Sequence, residues 1–119
     1  MSQDQDDASA RKAIRDDFKS VVNMTPAAIE KWLATDDSKR VGWKGDDGKG
    51  SGESVGHASG RHIIAIKRKR QADLDIADYD HMRKVISYVR RHSAQGPAKD
   101  VETSNWRYSL MNWGHDPCK

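Results

Sequence analysis

Leucine is scarce, cysteine and phenylalanine each occur once, and no long apolar run interrupts the 119 residues. The single cysteine, Cys118, excludes an internal disulfide framework and a multi-cysteine zinc site. No segment approaches the ~18 consecutive apolar residues of a membrane-spanning helix, and the acidic start Ser2 to Asp7 does not read as a signal peptide. The expectation is a cytoplasmic protein with no membrane partner. Leu, Ile, Val and Phe together number 18, below the ~20% of a chain at which disorder becomes plausible. Four Trp, three Tyr and four Met restore apolar area, and the net charge is only +3. These numbers describe one lean folded domain (residues 8–119) behind a disordered acidic tail (1–7).

Charge is unevenly spread. Residues 1–60 hold 9 basic and 11 acidic side chains, whereas residues 61–119 hold 12 basic and 7 acidic. The densest cationic block is Arg61, Lys67, Arg68, Lys69 and Arg70, with no acid between Arg61 and Ala72. Clustered basic residues are the electrostatic footprint of a polyanion binder. The same residues would also favour the negative end of a helix, so the block has two readings.

Apolar spacing outlines the helices. Ile14, Phe18, Val21 and Val22 form one stripe of a first helix starting at Ala8. Thr25-Pro26 is a start signal, a hydroxyl cap before a proline that needs no amide partner, and Ile29, Trp32 and Leu33 follow on one face. Asp36 to Ser38 is the expected end of this second helix. Six of the nine glycines lie in residues 42–56, read as a flexible loop that matches neither a P-loop nor a GxGxxG pattern. Trp43 inside it is an exposed-aromatic candidate. A third helix is expected from Ala58 to Arg70, with a short strand over Arg61 to Ile66 as the alternative. Asp75 caps a fourth, in which Tyr79, Met82, Val85, Ile86 and Val89 face inward while Arg83, Lys84, Ser87, Arg90 and Arg91 face outward. Gly96-Pro97 stops it. In the last helix Trp106, Leu110 and Trp113 recur at i, i+4 and i+7, and Gly114 fits a left-handed cap. The fold class is all-α, a compact bundle of four to five helices with the long loop between the second and third. Its core should contain Phe18, Trp32, Met82, Ile86, Trp106 and Leu110.

Five histidines and Cys118 offer no metal-ligand spacing. No HExxH motif occurs, and His57 and His62 are five apart rather than four. Ser59 lacks the glycine of a nucleophile elbow, and the paired aspartates are sequence neighbours whose side chains diverge. No catalytic residue, cofactor or metal is therefore expected, and the protein reads as not an enzyme. A small hydrolase stays open as a third reading, on condition that His57, His62 or His81 meets a carboxylate in a pocket.

Several motifs together carry a resemblance: Asn23-Met24-Thr25-Pro26, Lys31-Trp32-Leu33, Gly52 to His57 with Ser59-Gly60-Arg61, Asp78-Tyr79 with His81 to Val85, and Trp106 to Pro117. They resemble a small bacterial family of unknown function over about residues 14–119. Its members are often labelled DNA-binding protein, and the resemblance implies that label without assigning any residue. Two features depart from the family: the loop over Lys39 to Ser51 is longer, and Ser87 stands where glycine is common.

The expected function is non-enzymatic nucleic-acid binding, to DNA, mainly through the phosphate backbone. Arg61, Lys67, Arg68, Lys69 and Arg70 would form one basic edge and Arg83, Lys84, Arg90 and Arg91 a second. The alternative is a protein-interaction or stress-associated adaptor, with a homodimer as one form, using the Trp-rich C-terminal surface. A DNA binder would leave its arginines on one continuous face, and an adaptor would expose an apolar patch of several hundred Å².

Overall fold

Among the described residues six α-helices in chain order wrap one core: α1 (Ala8–Val21), α2 (Pro26–Leu33), α3 (Asp36–Arg40), α4 (Val55–Arg68), α5 (Ile76–Ser93) and α6 (Asn105–Asn112). The computed structural model describes residues 8–41, 55–96 and 100–118. The expected acidic tail and the glycine loop over 42–54, Trp43 included, lie outside the described residues. Among the described residues no strand occurs, and no helix is long and apolar enough to cross a membrane.

Local chemistry explains most boundaries. Thr25 accepts from the Ala28 amide at 3.1 Å with Pro26 opening α2. Asp75 and Asp78 exchange side-chain-to-backbone bonds at 2.9 and 3.1 Å, a capping box that starts α5. Ser104 caps α6 by accepting from the Arg107 amide at 3.1 Å. Two boundaries differ from expectation. Asp36 to Ser38 does not end α2; Thr35 accepts from the Ser38 amide and begins the extra helix α3. α4 begins at Val55, not Ala58, so the loop's expected end at residue 56 lies inside a helix, and the strand alternative over Arg61 to Ile66 is replaced by that same helix.

The glycines of α4 serve packing. A Cβ on Gly60 would lie 2.7 Å from the Asn112 carbonyl oxygen and 2.8 Å from Leu33, and one on Gly56 would press on the Trp113 indole at 3.0 Å. These helical positions are glycine because a side chain there would collide with α2 and α6.

α1 packs along α5, α2 packs along α4, and α6 touches α2, α3, α4 and α5, closing the core. Ile29, Ile63, Met82, Val85 and Leu110 are almost wholly buried, each contributing about 1.5–3 kcal/mol of transfer free energy. Phe18 and Ile86 are buried as expected. Trp32 and Trp106 pack against this core while remaining half-buried, and each indole N–H has a partner: Asn112 Oδ1 for Trp32 and the His92 carbonyl for Trp106, both at 2.7 Å. Gly114 has φ +79° with Val22 Cγ1 2.9 Å from the place of a Cβ. Gly114→Ala should therefore lower stability by about 1–2 kcal/mol, the cost of a left-handed alanine. An unchanged urea midpoint would refute that.

Candidate nucleic-acid interface

α5 is held by its capping box and by the buried stripe Tyr79, Met82, Val85, Ile86 and Val89, and this registration turns the opposite face to solvent. Arg83, Lys84, Ser87, Arg90 and Arg91 recur there at i, i+1, i+4, i+7 and i+8, and all five are exposed. Open grooves flank the stripe. On one side Ile14 and Asp17 of α1 face Arg83, Arg90 and Arg91; on the other, Tyr88 and Trp113 face Lys84 and Arg91. Arg83 pairs with Asp80 at 2.8 Å and Arg90 with Asp17 at 3.5 Å. Such exposed pairs are weak and yield readily to a phosphate. Lys84 and Arg91 form no ion pair with a described residue.

The other basic block is committed elsewhere. Arg68 grips Glu30 of α2 through two bonds of 2.8 and 2.9 Å, and that hydrogen bonding raises the arginine's pKa and lowers the glutamate's. Lys69 donates to Asp78 at 2.6 Å, and Arg70 pairs with Asp73 at 3.0 Å. Lys67 is half-buried at the edge of a cavity, and Arg61 is exposed further back on α4. The end of α4 thus meets the first turn of α5, while Arg90 and Arg91 lie in its last turn. The two basic groups do not merge into one face. Sequence spacing alone missed two further cations, Arg15 and Lys19 of α1, beside Lys67 and Lys69. With Arg11 they fall at i, i+4 and i+8, next to the Ile14 and Phe18 stripe, and that periodicity was a legible signal.

Between α4 and α5 lies a polar cluster. His81 Nε2 is 2.9 Å from Ser59 Oγ, the His81 and His62 rings stack at 4.2 Å, and His62 Nε2 is 3.0 Å from Asp78 Oδ1. Burial tends to raise the Asp78 pKa, but bonds from Lys69, His62 and the Asp75 amide prevail and hold it down to about 2. Burial, with the nearby His62, pushes His81 down to about 4. His62 therefore meets a carboxylate, and His81 joins it through the ring stack. The His57 Nε2 sits 2.8 Å from the Leu33 carbonyl. The arrangement is poor for hydrolysis: the carboxylate bonds His62 while Ser59 bonds His81, and Ser59 is only 3% exposed. A base with pKa near 4 is also far from the operating range of general-base catalysis. The cluster joins α4 to α5. The ring stack continues from His81 to Trp113 at 6.1 Å and from Trp113 to Tyr88 at 4.3 Å, so Trp113 is a core residue, 8% exposed. No group of three or more metal-ligating side chains occurs among the described residues.

One family model, described as "Protein of unknown function (DUF3140)", matches residues 17–111. No curated protein and no solved structure matches the chain.

Proposed function

The chain belongs to the DUF3140 family, and we propose that it is a non-enzymatic nucleic-acid-binding protein that contacts mainly the DNA phosphate backbone. The observation that carries this reading is the exposed stripe Arg83, Lys84, Arg90 and Arg91 on α5. Eight residues of helix advance about 12 Å, a span of roughly three to four phosphates along one strand. Ser87 lies between the cations as a neutral donor. Contacts of this type position a duplex without reading its bases. The aromatic residues favour this reading over an adaptor: Trp113 is core, and Val55 and Ile76 are the large hydrophobics found exposed among the described residues. With Arg68 held by two bonds to Glu30 and Lys69 by the buried Asp78, the α5 stripe supplies about four phosphate contacts, fewer than a count of all basic residues implies.

Fluorescence anisotropy with labelled duplex DNA, single-stranded DNA and RNA over a salt series tests the proposal. A log–log slope near −3.6 is expected for duplex DNA. Replacing Arg83, Lys84, Arg90 and Arg91 by Ala should abolish binding to all sequences alike, whereas the Arg68 and Lys69 double change should alter the slope little. A folded protein that binds none of the three nucleic acids at low salt would discard the reading in favour of the adaptor.

A further inference from the structure

A cavity of about 220 Å³ opens where α1, the end of α4, the turn at Gln71–Asp73 and α5 meet. Its floor is apolar, formed by Phe18, Ile66, Leu74 and Met82. Arg15, Lys19, Lys67 and Lys69 line the cavity as well, and no acid lines it among the described residues. An empty apolar hole at the surface needs only neutral polar groups around it. Of the four cations, Arg15 and Lys19 matter most: like charges lining one cavity repel each other, and an anion between them relieves that.

The individual partners sharpen the point. Lys69 is neutralised by Asp78 at 2.6 Å. Arg15 donates one N–H to the Tyr79 hydroxyl at 2.9 Å, which steadies the guanidinium without neutralising it. Neither Arg15 nor Lys19 forms an ion pair with a described residue, and the adjacent Asp16 is taken by Lys12 at 2.7 Å. A guanidinium and an ammonium thus line the cavity without an ion pair to a described residue, a pairing suited to a carboxylate.

We propose that this cavity binds a small organic acid, its carboxylate held by Arg15 and Lys19 and its short aliphatic body lying on Phe18, Leu74 and Met82. The volume limits the guest. It equals the liquid share of roughly seven waters and falls below the ~300 Å³ of an ordinary drug-sized site, so a medium-chain acid fits and a dinucleotide does not. None of the exposed α5 cations lines the cavity, so the site is independent of the nucleic-acid reading.

Titration of the folded, isotope-labelled protein with octanoate, followed by amide chemical shifts, tests the site. Saturable shifts centred on Lys19, Leu74 and Met82 are expected, with acetate and octanol each at least about tenfold weaker, since each lacks one half of the recognition. Arg15→Gln and Lys19→Gln should each weaken octanoate by about tenfold, the scale of one charge-assisted bond. Thermal melts check that both variants are folded, and Lys19, exposed and unpaired, serves where Arg15→Gln loses its Tyr79 bond. Octanol binding as well as octanoate would reduce the cavity to a greasy void. Acetate binding as well as octanoate would reduce its cations to a surface anion trap. Either result, an absence of saturable shifts, or unchanged affinity in both variants overturns the proposal.

Discussion

Replacing Asn112 by alanine should cost about 3–5 kcal/mol, a large share of the ~5–15 kcal/mol that holds a domain folded. Asn112 has no exposed surface. Its Oδ1 accepts from the Trp32 indole at 2.7 Å and from the Ser38 hydroxyl, and its Nδ2 donates to the Ser38 carbonyl at 3.1 Å. One carboxamide therefore ties α6 to both α2 and α3. Ser38 is itself wholly buried, so truncation strands its hydroxyl and carbonyl away from water, each at about 1–3 kcal/mol, and leaves a void besides. The backbone carbonyl of Asn112 also faces Gly60, so any relaxation of α6 meets α4. Urea denaturation measures the effect as a lower midpoint. Asn112→Asp, which keeps the acceptor but loses the donor, should also destabilise, because it buries a charge without a cation. A midpoint unmoved in Asn112→Ala would show that the three bonds are replaced by water and that the junction is not buried.

Local signals were legible wherever one residue determines its neighbours' backbone. Thr25-Pro26, Asp75 with Asp78, and Gly114 each act within four residues, and all three sit at helix ends as read. The stripes of α1, α2, α5 and α6 were legible for the same reason, since a 3.6-residue period is written in adjacent turns. What depends on distant partners was not. Gly56 reads as loop because its purpose, the close approach of Trp113, lies nearly sixty residues away in sequence. α3 was lost because Asp36 and Asp37 were read as a stop, when Thr35 before them is a cap. The site shows the same division. The α5 stripe could be read from spacing, but the neutralisation of Arg68 by Glu30 joins residues 38 apart. A run of cations in sequence says nothing about which acids fold onto it.

Stability should stay level above about pH 7 and fall steadily as pH drops from 6.5 toward 4, by about 2 kcal/mol once solvent screening of the partly exposed ring is allowed for. The group responsible is His81. In the unfolded chain it takes up a proton near 6.5, whereas burial and the stacked His62 hold it neutral down to about 4 in the folded protein. Between those values the unfolded state binds more protons, so acid pulls the equilibrium toward unfolding. The contribution is fully present above 6.5 and is gone below 4. His92, pushed down by burial and by Arg91, acts in the same direction. Asp78 does not contribute in this window. It is held to about 2 by Lys69, His62 and the Asp75 amide against its own burial, so its contribution is lost only from 3.8 downward. The groups facing His81 are thus His62 from α4, Ser59 one turn before it, and Lys84 and Asp78 on its own helix. His81→Gln keeps a side chain able to bond Ser59 and removes the proton. Thermal melts of this variant between pH 7 and 4 should show a clearly shallower fall than the parent, with His92 supplying what remains. A fall of equal depth in both proteins, or a His81 ring titrating near 6.5 by NMR in the folded state, would rule out this ring as the source of acid sensitivity.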